Sequence, residues 1–147
     1  MNLGTAELVR SDVRSATDFL GAVMGEVCEL QGAKRWSDCT PENAAHVEEL
    51  AAAFPEARFL HVVRDGRDVA VSMTKRGMAH PAPRDEGREL EVAAVLWEWF
   101  VQRAREGCAS VAERTMEVRY ERLVSDRAGT LGEVAEFLDH PIDLARV

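Results

Sequence analysis

The sequence predicts an α/β fold, an incomplete parallel sheet with helices along its flanks. Three observations lead to it. Phe59 to Val63 is a short apolar run rich in β-branched residues, the pattern of a strand covered on both faces. It runs directly into Arg64-Asp65-Gly66 and a helix that carries Ser72. Far downstream, Met116, Val118 and Tyr120 alternate with Thr115, Glu117 and Arg119, the period of a second strand. A helix followed by a strand, joined by a few turn residues, is the second half of a right-handed β-α-β crossover, the unit of a parallel sheet.

The elements follow in order. Thr5 to Gln31 reads as helix, broken near Ser11-Asp12. Its stripe of Leu20, Val23, Met24, Val27 and Leu30 recurs at helical spacing and reads as ordinary core, and Gly32 is a stop. Ala33 to Asp38 is a candidate edge strand. Thr40 and Pro41 then open a helix that ends at Pro55. After the central strand, Asp65 is a helix N-cap and Gly66 supplies backbone angles that other residues resist. Gly77 to Arg88 is a polar loop broken by Pro81 and Pro83, a candidate flap. Glu89 to Gly107 is a helix apolar over a wide arc, which predicts that it is mostly buried and that its tryptophans are core. Ser125 or Asp126 caps a last helix, although Thr130 to Glu133 also fits a capping box, and His140-Pro141 ends it.

At 147 residues the chain is one domain, with 1–33 as a helical N-terminal segment and 34–140 as the core. A net charge of −8 argues against a nucleic-acid surface, which needs a basic stripe. An anionic ligand must therefore be drawn in by a local arginine cluster, against the global field. Sixteen arginines and only two lysines, Lys34 and Lys75, supply the positive charge. Cys28, Cys39 and Cys108 have no paired metal spacing and read as reduced thiols, which points to the cytoplasm. The sequence shows no secretory signal and no apolar run of membrane-spanning length, so no membrane partner is expected.

The best candidates for chemistry lie at the strand end. Arg64 offers a forked, always-charged donor and Ser72 a short hydroxyl donor. A helix N-terminus beyond the carboxyl end of a strand adds free amides and a positive dipole end. Together they suit one phosphate. The competing reading is an ion pair of Arg64 with Asp65 or Asp68, and a helix serine without a partner. Arg67 also has acidic neighbours to pair with.

Pro55 to Phe59 with Val62 to Ser72 resembles the 3′-phosphate-binding segment of sulfotransferases that use 3′-phosphoadenosine-5′-phosphosulfate (PAPS). Trp36-Ser37-Asp38-Cys39-Thr40-Pro41 resembles the family's Trp-x-x-Lys-Thr-Pro. Arg119-Tyr120-Glu121-Arg122-Leu123, followed by Phe137-Leu138, resembles its Tyr-Glu-x-Leu stretch and the helix after it. The resemblance implies a three-layer, P-loop-NTPase-like sulfotransferase fold and a PAPS co-substrate without a metal. It implies that Arg64 and Ser72 hold the 3′-phosphate and that Tyr120 lies near the adenine. The implied reaction moves a sulfuryl group to a hydroxyl or amine, on a small-molecule or carbohydrate acceptor.

Two departures open an alternative. Cys39 stands where the resembled motif has lysine, and a thiol with a pKa near ~8.5 is mostly uncharged at neutral pH. No Gly-x-x-x-x-Gly-Lys-[Ser/Thr] occurs, and Arg14-Ser15-Ala16-Thr17 echoes the family's Arg-Ser-Gly-Thr without its glycine. The alternative is a non-catalytic remnant that binds adenosine 3′-phosphate weakly, or that acts as an interaction module. An unpaired sheet edge is then the expected site of self-association or of a partner.

Overall fold

The computed structural model describes residues 14–79 and 86–143. The chain divides into two compact units, Met1–Thr40 and Pro41–Val147.

The first unit contains helix α1, Ala16–Gln31. Ser15 caps it by accepting from the Asp18 amide, and the backbone amide of Arg14 donates to the Asp18 carboxylate at 3.1 Å. The Arg-Ser-Ala-Thr stretch is thus a helix start. Gly32 ends the helix in the left-handed region (φ 63°), as its position predicts. Of the expected stripe, Leu20, Val23, Met24 and Val27 are partly buried and Leu30 is 60% exposed; no α1 residue is fully buried. The candidate edge strand over Ala33 to Asp38 does not form. Instead Asp38 closes a tight turn, its carboxylate accepting from both the amide and the hydroxyl of Thr40. The part of the expected helix before residue 14 lies outside the described residues.

The second unit opens with a 3₁₀ turn, Pro41–Ala45, and helix α2, Val47–Ala53. Strand β1 is Phe59–Val63, helix α3 is Gly66–Lys75 and helix α4 is Glu89–Ala109. Strand β2, Thr115–Arg119, leads into the short helix α5, Tyr120–Ser125, and then α6, Arg127–Leu138. The two strands pair in parallel, with Phe59 opposite Thr115, His61 opposite Glu117 and Val63 opposite Arg119. Helices α3 and α4 make the crossover between them. The expected loop after α3 is in place at both ends; residues 80–85 lie outside the described ones. Asp126, rather than the Thr130 box, caps α6 by accepting from the Gly129 amide at 3.0 Å, and Thr130 is buried inside the helix.

The core is built from small side chains. Ala70 of α3 and Ala93 of α4 meet with Ala79, and Met73 packs against them. Small residues let helices approach closely, and the glycines mark where. A Cβ on Gly107 of α4 would lie 2.8 Å from Cβ of Val47 on α2. Helix α4 therefore buries only the side turned toward its neighbours. Val95 and Trp99, one turn apart, are 64% and 48% exposed, so the expectation of a mostly buried helix does not hold.

Strand β1 is also covered on one face only. The face carrying His61 and Glu117 lies under α4, whose Arg105 donates twice to Glu117 at 2.9 Å. Leu60 and Val62 point the other way and are 37% and 55% exposed. The run of consecutive apolar residues that predicts a doubly covered strand is present, but on the second face burial falls on β2, where Val118 opposite Val62 is 5% exposed, while Leu60 and Val62 of β1 stay exposed.

Candidate functional site

The site is the carboxyl end of β1. Asp65 caps α3 by accepting from the Arg67 amide at 2.9 Å. The same carboxylate takes the Arg67 guanidinium in a two-pronged pair, at 3.0 and 2.6 Å. These bonds from Arg67 hold the Asp65 carboxyl well below the ordinary carboxylate range. Arg67 is thereby an ion-pair partner, the plainer of its two readings.

Gly66 does not serve by unusual backbone angles, since its φ is not positive. It serves by lacking a side chain. The ring of Trp97, on α4, would stand 2.6–2.8 Å from a Cβ at that position. Trp97 packs directly on the first turn of α3 and fixes where that turn sits against the crossover helix. The expected assignment of the tryptophans to packing holds here, although Trp99 is exposed.

The strand register brings Arg64 and Tyr120 together. Val63 faces Arg119, so the next residue on each strand leaves the sheet side by side. The Arg64 guanidinium lies 5.0 Å from the centre of the Tyr120 ring, within cation–π range. Tyr120 is not the last residue of the strand, as its alternation predicts; it opens α5 and is 39% exposed. Arg64 Nη2 donates to Asp68 Oδ2 at 3.2 Å, whereas its Nε is buried and has no hydrogen-bond partner among the described residues.

Ser72 lies on α3 and is half-buried. No hydrogen bond joins it to Arg64 or Tyr120 among the described residues. Ser72 and Asp68, four apart on α3, share a helix face. Asp68 stands one turn before Ser72 and pairs with Arg64, four residues earlier.

Glu121 completes the arrangement. Its carboxylate accepts from the Asp65 amide at 2.7 Å, tying the turn after β1 to the helix after β2. That amide bond is the leading reason the Glu121 carboxyl is held below its ordinary pKa. Sequence reasoning placed Glu121 in a motif without assigning it a contact; it named Asp68 only in the competing reading, as an ion-pair partner of Arg64, and that pair is formed. Only the register shows that the turn and Glu121 adjoin.

Another cleft lies around Pro55, Arg58, Glu113, Arg114 and Phe137. Its two arginines are already engaged: Arg58 donates to the Phe137 carbonyl, and Arg114 to the carbonyls of Phe54, Pro55 and Ala57. They staple the chain there and leave the strand end at Arg64 as the stronger anion candidate.

An arginine beside a helix N-terminus, at the carboxyl end of a parallel strand, is the arrangement in which α/β folds commonly bind anions. Residues 4–143 match the sulfotransferase family, and the chain belongs to that family. It is 27% identical over 140 residues to a Caenorhabditis elegans protein described as "Putative protein-tyrosine sulfotransferase", covering 95% of this chain and 52% of that protein. It is 30% identical over 105 residues to the Caenorhabditis elegans protein-tyrosine sulfotransferase A, covering 71% of this chain and 26% of that protein. The chain thus spans about half the length of one relative and about a quarter of the other. No solved structure matches it. The helices around a small parallel sheet fit the α/β sulfotransferase fold. Among the described residues, no helix is long and apolar enough to cross a membrane.

Proposed function

We propose that this chain binds the nucleotide end of PAPS and serves in sulfuryl transfer to a hydroxyl or amine acceptor. Arg64 and Ser72 hold the 3′-phosphate, and Tyr120 lies beside the adenine. The observation that carries this reading is the state of Arg64. Its guanidinium is set at the strand end against the Tyr120 ring, in a chain of net charge −8, with one N–H that has no partner among the described residues. An isolated buried donor costs about 1–3 kcal/mol, which an arriving anion can relieve by rearranging the guanidinium.

PAPS when bound supplies the activated sulfuryl group. The residues on this chain bind and orient. Arg64 contributes a permanent charge, the first turn of α3 contributes its dipole, and Glu121 holds that turn in place. Both relatives are named for protein tyrosine. A tyrosyl hydroxyl is therefore an acceptor to test beside small-molecule and carbohydrate hydroxyls.

A second reading, nucleotide binding without transfer, is favoured by one observation. Cys39 is exposed and stands where the resembled motif carries a cation.

Calorimetric titration of the 147-residue chain with adenosine 3′,5′-bisphosphate tests the site. Saturable binding is expected, and Arg64→Ala should abolish it. A folded chain that takes up no bisphosphate would sink the reading.

A further inference from the structure

We propose that Asp68 is a built-in counter-anion of the Arg64 site: it holds the guanidinium against Tyr120 and must be displaced by the incoming 3′-phosphate. The inference rests on the nucleotide reading above and adds the residue that tunes it.

Three observations converge. Asp68 Oδ2 is 3.2 Å from Arg64 Nη2, so the carboxylate already occupies part of the donor fork. Asp68 lies one turn before Ser72 on α3, on the same helix face, so the carboxylate that pairs with Arg64 belongs to the face that carries Ser72. The Arg64 side chain is 41% exposed and that of Asp68 is 63% exposed, so the pair is open to solvent and can part. The other charges of the turn are already committed. Asp65 is paired with Arg67, and Glu121 takes the Asp65 amide with Arg119 at 3.5 Å.

A phosphate approaching Arg64 and Ser72 therefore meets a like charge. Two unit charges about 4–5 Å apart in a watery setting repel by an amount worth about fivefold in affinity. Asp68 thus lowers affinity for the 3′-phosphate while keeping Arg64 oriented in its absence. It is a positioning residue, acting through Arg64.

Tyr120 is the sole tyrosine of the sequence. Tyrosine-selective isotope labelling therefore yields one ring signal, and it reports on the Arg64 stack. The test uses wild type, Asp68→Asn and Asp68→Glu, first without ligand and then with either adenosine 3′,5′-bisphosphate or adenosine 5′-phosphate. Without ligand, Asp68→Asn should move the Tyr120 signal, and Asp68→Glu should restore most of it. With ligand, Asp68→Asn should bind the bisphosphate about fivefold more tightly, Asp68→Glu should match wild type, and affinity for the 5′-phosphate should not change.

An unmoved Tyr120 signal overturns the role of Asp68 in holding Arg64. Bisphosphate affinity that falls or stays level in Asp68→Asn overturns displacement. A gain that is equal for both nucleotides also overturns it, since the effect would then be general electrostatics. If no variant binds the bisphosphate while the Tyr120 signal still moves, the nucleotide reading fails. Displacement by phosphate fails with it, and the Asp68–Arg64–Tyr120 contact stands.

Discussion

His61 shows how one residue couples strand pairing to pH. Its side chain is 12% exposed, and its Nδ1 lies 3.4 Å from Glu117 Oε2, across the strand pair. Burial favours the neutral imidazole and Glu117 favours the charged one, while Arg105 on α4 opposes the charge; burial wins, and the pKa falls below its ordinary value. The sign follows. An unfolded chain takes up the proton near pH 6.5 and the folded chain only at lower pH, so the contribution of His61 is complete above about pH 6.5 and is lost as pH falls further. Thermal melts between pH 7.5 and 5.5 should show Tm declining for wild type and a flatter profile for His61→Leu. Parallel profiles would mean that another group titrates in this window. The carboxylates with lowered pKa values, Asp65, Glu117, Glu121 and Glu133, act at more acidic pH and do not mask the effect.

At the level of elements, close approach decides where α3 and α4 sit. The indole of Trp97 occupies the space that a Cβ on Gly66 would need, and Val47 does the same to Gly107. Neither glycine has a positive φ. Alanine at either position therefore meets no backbone penalty and only a steric one. Each substitution should cost about 1–3 kcal/mol, as overpacking does, read as a lower urea midpoint with unchanged slope. The two should differ in function. Gly66→Ala pushes Trp97 against the turn that bears Arg64, so it should also weaken bisphosphate binding. Gly107→Ala acts on the α2–α4 contact and should leave binding in the folded fraction intact. Equal effects on binding would remove the link between Trp97 and the site.

On the scale of the whole molecule, the sheet has two strands among the described residues. One face of β1 is bare, with Leu60 and Val62 exposed. A two-stranded sheet whose β1 exposes apolar side chains, with no third strand among the described residues, is a template for pairing with another chain. Sedimentation of the purified chain should show association that grows with concentration, and Val62→Lys should shift it toward monomer. A monomer at all concentrations would remove the sheet as an interaction surface.

What the sequence determined alone is what depends on short-range chemistry. Phe59–Val63 as a strand, Asp65 as the cap of α3, Gly32 as the stop of α1 and the alternation over Thr115 to Arg119 all follow from side chains within a few residues of one another. The sulfotransferase motifs were legible for the same reason, because a strand end, a turn and a helix start are contiguous. Other features depended on residues far apart in the chain. The pairing of Val63 with Arg119 sets Tyr120 over Arg64 and brings Glu121 to the turn, and no local pattern encodes that register. The reason for Gly66 lay in Trp97, on another helix. Asp65 and Asp68 were both open as ion-pair partners of Arg64, and only the placed side chains show that Asp68 takes Arg64 while Asp65 takes Arg67. The strand over Ala33 to Asp38 does not form, because the segment runs into a turn that Asp38 closes on Thr40. Coverage of β1 and α4 failed as a prediction: apolar periodicity reports which face is able to bury, and only neighbouring elements decide whether it does.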